Sequence, residues 1–489
     1  MKQILIVALG VGLANQVSAF CGFYVSKADG TLKNKTSQVI LARDGNKTKV
    51  TMYNDFKGNV KDFALVVPVP VLLKQEDIKV VDQGIFQRLN EYSSPRLVEY
   101  YDQNPCYDAR EKDEAVMYAP AAADSRVAES VTLKKGYGVK IEARYLVGEY
   151  EILILGAKES NGLKRWLTDH GYKIPDAAEE VLDPYIRSNM KFFVAKVNPA
   201  QQEKMNGQFL RPIQISFSSP KFILPIRLGM ANADGDQDLI VYGLTRQGKI
   251  ECTNYRNVNI PTDKNIPLFI QQNFNAFYGN LFSRQWAREG KNIAFLEYAW
   301  DVTPVNQMKC DPCVGNPPVA QELVQAGAWW LQQNNWNDYS NLDDDPSDGN
   351  DRTFFTRLHF RYNRSSFPQD LAFQLTSDNR NFQARYIITH PATGNLNCDA
   401  GRQYLQKLKA RRKTELRELM ELTGTNLHNW QQDLLSMQDE DPTVDVSYAQ
   451  LLPSVQQNMD HPENGLATMA LVSVVLIGSA GWMKWKGLI

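Results

Sequence analysis

Cys310 and Cys313 stand in the spacing C-x-x-C, as Cys310-Asp311-Pro312-Cys313. In that spacing one thiol can be activated as a thiolate while the other resolves a mixed disulfide, the chemistry of thiol–disulfide oxidoreductases. Such a pair works from the N-terminus of a helix that follows a strand. Here Val314-Gly315-Asn316-Pro317-Pro318 follows, which cannot open a helix at the second cysteine. A zinc site would need further ligands. Cys398 with His359 or His390 could supply them, but no zinc-type spacing joins them. A structural disulfide is the expectation, with redox chemistry as its competitor.

Asp343, Asp344, Asp345, Asp348 and Asp351 form the densest acidic run, close to Trp329, Trp330, Trp336 and Tyr339. Hard carboxylates can hold Ca²⁺ and exposed aromatic rings can stack on sugars, so a calcium-assisted glycan site is one expectation. A solvated loop beside core tryptophans is the other and the favoured one. Asn232-Ala233-Asp234-Gly235-Asp236-Gln237-Asp238 has the oxygen-rich look of a calcium loop. It lacks the bidentate glutamate of an EF-hand and is expected to be a turn between strands. No G-x-S-x-G, H-E-x-x-H, Walker or Rossmann glycine pattern occurs. Of the five histidines, His359 and His390 sit in strand-like segments, where a structural role is expected. Glu149 and Glu151 are too ordinary a pair to signify a glycosidase. Arg411, Arg412 and Lys413 could meet lipid headgroups, although a solvated helix face explains them as well. Asn34, Asn46 and Asn363 head glycosylation sequons, which matter only in a eukaryotic host. No cofactor and no metal are expected.

These residues must be positioned by elements legible in the pattern. Residues 38–54 are two β-branched runs around Asp44-Gly45-Asn46, the strongest hairpin signal in the chain. Strands are expected at 63–71, where Pro68 and Pro70 argue against a central position, and within 137–156. Residues 84–100 look helical or turn-like. A helix carries Leu163, Trp166 and Leu167 on one face and closes at Gly171, and a second is interrupted at Pro184. Further strands are expected near 191–197, 213–228, 238–246, 294–302, 354–362, 370–376 and 382–391, and a helix over 399–436. The fold class is α+β: a β-rich N-terminal domain, then an antiparallel sheet with segregated helices, then C-terminal helices. The boundaries expected are a β-rich domain at 20–136, an α+β domain at 137–302, a Cys- and Trp-containing β region at 303–397 and a helical segment at 398–437.

The ends give an address. Lys2, an apolar stretch from Ile4 to Ala14 and Val17-Ser18-Ala19 resemble a secretory signal, residues 1–19. Residues 465–483 are an apolar run long enough to span a bilayer as a transmembrane helix, flanked by Trp482, Lys484, Trp485 and Lys486. The lysines place the tail, 484–489, in the cytoplasm, and the proline-bearing 438–464 looks like a stalk. All six cysteines (Cys21, Cys106, Cys252, Cys310, Cys313 and Cys398) would then lie on the export side as disulfide candidates. Their pairing is open, with Cys21–Cys106 preferred. A net charge of −1, from 54 basic and 55 acidic residues, argues against nucleic acid as a partner.

FCGFYVSKAD, DFALVVPVP, SSPRLVEYYDQNPC, VGEYEILILGAKES, SPKFILPIRLGMANADG, CDPC, TRLHFRYNRSSFPQDLAFQ and FQARYIITHP, in this order, resemble the bacterial exported family DUF2330 from about Cys21 to Thr423. The resemblance implies a bacterial exported protein, often with a C-terminal membrane segment, and supplies no catalytic residue. The resulting expectation is a single-pass, membrane-anchored extracytoplasmic protein that binds or scaffolds an envelope component without being an enzyme. A thiol–disulfide oxidoreductase and a calcium- or glycan-binding adhesin are its alternatives.

Overall fold

Strand sequences such as FALVVPV, YEILILGA, KFFVAKV and QDLIVYGLT are apolar at nearly every position rather than at alternate ones. A strand of that kind must be buried on both faces, so it belongs to an inner layer. The computed structural model describes residues 23–26, 33–57, 63–107, 139–170, 178–198, 210–232, 235–304, 316–333 and 351–425. Its elements run β1 (Phe23–Ser26), β2 (Lys33–Asp44), β3 (Lys47–Lys57), β4 (Phe63–Val69), β5 (Ile78–Val80), α1 (Gly84–Ser93), β6 (Arg96–Tyr101), β7 (Val139–Val147) and β8 (Tyr150–Ala157). Then follow α2 (Ser160–Asp169), α3 (Ala178–Arg187), β9 (Lys191–Val197), β10 (Ile213–Ser218), β11 (Ile223–Leu224), β12 (Gln237–Thr245), β13 (Ile250–Cys252), β14 (Arg256–Asn259) and β15 (Lys264–Asn265). The last are α4 (Phe274–Arg288), β16 (Ile293–Asp301), α5 (Ala320–Ala326), β17 (Phe354–Tyr362), β18 (Leu371–Leu375), β19 (Phe382–Gln383), β20 (Arg385–His390) and α6 (Asp399–Thr423).

The chain forms two compact units. The first comprises Met1–Pro95, Tyr118–Ile260 and Trp286–Ala384, the second Arg96–Met117, Pro261–Gln285 and Arg385–Ile489. Neither is continuous in sequence, so the successive boundaries expected above do not follow these units. The reason is strand exchange over long distances: a single sheet draws on β2 and β3, on β10 and β12, and on β16 and β17.

Unit 1 is built in four layers. A five-stranded sheet in the order β1-β4-β9-β8-β7 and a larger sheet in the order β14-β16-β17-β12-β2-β3-β10-β5 share one core. Leu65, Val67, Ile152 and Phe193 of the first meet Val39, Val50, Val241 and Leu358 of the second there. The outer face of the five-stranded sheet carries Val66, Leu153 and Phe192 and is covered by Leu163, Trp166 and Leu167 of α2 and Leu182 and Tyr185 of α3. The outer face of the larger sheet carries Ile40, Tyr242 and Phe355. It is covered by Phe86, Leu89 and Tyr92 of α1 and by Leu323 and Ala326 of α5. Burying each such side chain contributes about 1.5–3 kcal/mol, which is why these short amphipathic helices hold.

Several expectations need correction. The sheets are mixed and not purely antiparallel, because β12 pairs with β2, β14 with β16, and β20 with both β6 and β15 in parallel. Strand β4 is interior despite Pro68: it lies between β1, paired along Phe63–Val66 among the described residues, and β9, where Pro68 stands opposite Phe192. Pro184 does not interrupt α3, since Val181, Leu182 and Tyr185 anchor it to the sheet on either side of the proline. Residues 84–100 are a helix followed by strand β6. The segment from Asn232 to Asp238 closes no hairpin, because β11 pairs with β18 whereas β12 pairs with β17 and β2. The hairpin at 38–54 forms as expected, Asp44 opposite Lys47, with Gly45 at φ 54° in the two-residue loop. Among the described residues no helix is long and apolar enough to cross a membrane. The signal-like segment, the stalk, and the apolar run at 465–483 lie outside the described residues.

In unit 2, β15, β20 and β6 form an all-parallel sheet, and Phe274 and Phe277 of α4 pack on Tyr386 of β20. Helix α6 starts at Cys398 and ends at Gly424, which takes φ 65° as its C-cap.

Candidate functional site

A dense titratable cluster among the described residues of unit 1 arises from a defect in strand pairing. Strands β16 and β17 run in register through Leu296↔Leu358 and resume at Tyr298↔Arg357, leaving Glu297 as an extra residue. A β-bulge of this kind re-aims a side chain, and here it puts the Glu297 carboxylate against Arg357 and His359. Glu297 Oε2 accepts from Arg357 Nε at 2.6 Å and Oε1 lies 2.6 Å from His359 Nδ1. Glu297 is 1% exposed and Arg357 5%. Arg357 also donates to Asn90 Oδ1 at 2.8 Å, and its guanidinium lies 5.5 Å from the Tyr242 ring centre. Asp238 of β12 lies 3.5 Å from His359 Nε2 and accepts from Arg361 at 2.8 and 3.0 Å.

Electrostatics follow from this packing. Burial alone would push the His359 imidazole down, but the charge and hydrogen bond of Glu297 and the nearby Asp238 carboxylate outweigh it, and the net shift is upward. Burial would raise Asp238, yet the neighbouring His359 and the bonds from Arg361 hold it well below the usual carboxylate range. Burial pushes the Tyr242 phenol up to about 12. An imidazole held between two carboxylates is a clamp. Its ring nitrogens are turned to acids on both sides, which leaves no nitrogen aimed at a nucleophile among the described residues. The pattern was legible in FFTRLHFRY, where Arg357, His359 and Arg361 recur at every second position. A lone acid in the apolar AFLEYAWD was the other signal, and both were missed.

Unit 2 holds a second constellation around the disulfide Cys106–Cys398, whose Cα atoms lie 5.9 Å apart. The preferred Cys21–Cys106 pairing is therefore replaced: Cys106 takes Cys398, and the bridge ties the segment after β6 to the start of α6. Cys398 is the N-cap of α6, its Sγ accepting from the Gly401 amide at 3.2 Å. Residue 401 must be glycine, since a Cβ there would overlap the Leu396 carbonyl oxygen at 2.1 Å and crowd Cys106 Sγ at 2.9 Å. Asp102 accepts from Tyr404 and from Arg411, both at 2.7 Å; burial would raise its pKa, but these bonds bring it down. Glu99 lies 3.0 Å from His390 Nε2 and accepts from Gln271 at 2.9 Å, and the His390 bond foremost lowers it. His390 stacks on Tyr101 at 4.3 Å.

The other candidates fall out as follows. Cys252 is a buried free thiol, not a disulfide partner, and burial raises its pKa. It ends a strand pressed into the shared core. Cys21, Cys310, Cys313, Asp343, Asp344, Asp345 and Asp348 lie outside the described residues. Asp351 is not solvated: it is 7% exposed, and its carbonyl accepts from the Thr353 hydroxyl at 3.2 Å. That hydroxyl in turn accepts from Trp330 Nε1 at 3.0 Å. Among the described residues no group of three His, Cys, Asp or Glu side chains could hold a metal. Glu149 and Glu151 are engaged by Arg211 and Arg144. Arg411 and Arg412 do not form a solvated face, the first being bound to Asp102 and the second 8% exposed.

Neither curated proteins nor solved structures yield a match to this chain. A family profile does match, over residues 15–374, so that it takes in all of the Glu297 cluster and stops short of Cys398. By that match the chain belongs to DUF2330, the family described as uncharacterized protein conserved in bacteria.

Proposed function

We propose that the chain is an exported, membrane-anchored protein that binds or scaffolds a component of the cell envelope and performs no chemistry of its own. The Cys106–Cys398 disulfide carries this reading, since such bonds persist in oxidising compartments beyond the cytoplasm. The signal-like start and the apolar run at 465–483 agree with it. The burial of Glu297 and Arg357 supports the non-enzymatic half, because a group that turns over substrate must reach it.

Protease shaving of intact spheroplasts carrying a C-terminal tag tests the address. Digestion of the bulk of the chain with a protected tag is expected; full protection would overturn it. Cross-linking in cells, followed by purification of the full-length chain in detergent, tests the binding half, for which a reproducible envelope component is expected. Thiol labelling under graded reductant separates the competing oxidoreductase reading through Cys310 and Cys313. A pair there that resists mild reductant counts against redox turnover, and a labile pair with an acidic first thiol counts for it.

A further inference from the structure

On the outer face of the larger sheet in unit 1, three lysines stand together. In the β10–β3 pairing Ser216 lies opposite Lys49 and Ser218 opposite Lys47; in the β10–β5 pairing Gln214 lies opposite Lys79. Residues at these alternate positions share one face, because their neighbours Val50, Ile215 and Ile78 point into the shared core. Trp329, in the short 3-10 turn Trp329–Gln333, closes one side, its ring centre 4.9 Å from Lys47 Nζ and 5.5 Å from Lys49 Nζ. Lys47 and Lys79 are exposed and Lys49 is half-buried.

The charge partners of this face differ from those of several other cations in the unit. Among the described residues no carboxylate lies within ion-pair distance of Lys47, Lys49 or Lys79, although Arg211, Arg227, Arg246, Lys249, Arg357 and Arg361 all have one. The acid nearest in register is Asp44, opposite Lys47, and it is engaged by Arg246 at 3.2 Å. The cations also feel one another. Burial first, then the charges of Lys79 and Lys47, bring Lys49 down to about 8. Protein atoms packed around the Lys79 ammonium lower it too, despite its exposed surface. Three ammonium groups held together without a counter-charge form a site whose occupant is an anion, and an indole that bridges two of them fixes their spacing.

We infer that Lys47, Lys49 and Lys79, with the Ser216 and Ser218 hydroxyls and the Trp329 wall, bind a phosphoryl group. A phosphoryl oxyanion carries one or more negative charges and offers more acceptor oxygens than a single carboxylate, which matches several ammonium donors and two hydroxyls. The inference deepens the binding half of the proposed function and is independent of the compartment. A chain found in the wrong compartment leaves it intact, and failure to bind phosphoryl compounds leaves the address intact.

The test is calorimetric titration of the full-length chain in neutral detergent with two probes. Pyrophosphate stands for a free or polymer-borne phosphate, and glycerophosphoglycerol for a lipid headgroup diester. Binding of at least one is expected, weakening several-fold between 50 and 200 mM salt. The double substitution Lys47→Ala with Lys79→Ala is expected to weaken it at least tenfold. Lys49→Met, which keeps the packed stem and removes the charge, should act likewise without changing the unfolding midpoint. Lys413→Ala in unit 2 should leave binding unchanged. Whichever probe binds identifies the source; binding of neither, or undiminished binding in the lysine variants, overturns the inference.

Discussion

The two units solve one problem differently. Unit 1 holds Glu297 and Arg357 buried at a bulge on one face of a four-layer stack, with His359 mostly covered beside them. Unit 2 pairs Asp102 with Arg411 and Glu99 with His390 at half-exposed positions and adds a covalent tie, Cys106–Cys398. The lesson concerns depth. Where layers exclude water, losing one partner strands a buried charge, and the ion cluster becomes a condition of folding. Where water reaches the pair, solvent absorbs most of the loss, and a small unit gains more from a bond that restricts the unfolded chain.

Removing Glu297 should break the comparison most sharply. Glu297→Ala leaves Arg357 buried without its carboxylate and is expected to cost about 3–5 kcal/mol. Urea unfolding followed by hydrogen exchange in β16 and β17 measures it; a cost below about 1 kcal/mol would show that the cluster holds little. Next in size is the double change of Cys106 and Cys398 to serine, at about 2–4 kcal/mol. Its lost exchange protection should fall on Arg96–Tyr101 and α6 and spare β16 and β17; loss of protection in both units would refute the separation. Arg411→Ala should cost only about 1–2 kcal/mol by the same measurement, and a loss equal to that at Glu297 would erase the contrast in depth.

The smallest effect is the dependence on pH, and its sign differs between the clusters. His359 has a folded-state pKa above its unfolded value, so its contribution is complete below about pH 6.5 and is lost as pH rises through the folded value. Glu99 and Asp102 are lowered, so theirs is complete above about pH 4 and is lost as pH falls. Exchange protection in β17 should therefore weaken on the alkaline side, and His359→Gln should flatten that limb. Protection in β6 should weaken on the acid side. A β17 profile that is flat above pH 6.5 in the wild type would remove His359 from the account.

Much of the local structure was legible because it depends on neighbours in sequence. The hairpin around Gly45, the α2 face of Leu163, Trp166 and Leu167, and the apolar strands β4, β9 and β12 follow from turn chemistry and periodicity. What was hidden depends on distant partners. No local pattern shows that β2 lies parallel to β12, or that Cys106 chooses Cys398 among the alternatives. Glu297 was hidden for a subtler reason. A bulge breaks the two-residue period by which a strand residue's face is assigned, so the acid looked like an interruption in a core strand. Lys47 and Lys49 belonged to a hairpin recognised at once, yet their isolation from acids appears only when β10 and β5 are laid beside them.

The parallel pairing of β2 with β12 has a kinetic consequence. Ser37 sits beside Leu239, so the middle of the larger sheet joins strands roughly two hundred residues apart. β17 must then arrive on the far side of β12 before β16 can take its place. A chain emerging from the N-terminus presents the β2–β3 hairpin long before its neighbours exist. That hairpin carries Val39, Leu41, Val50 and Met52 on one face, all of them interior in the finished unit. For that interval it is an exposed apolar template, the kind of edge that pairs with other chains unless it is shielded until the late strands appear.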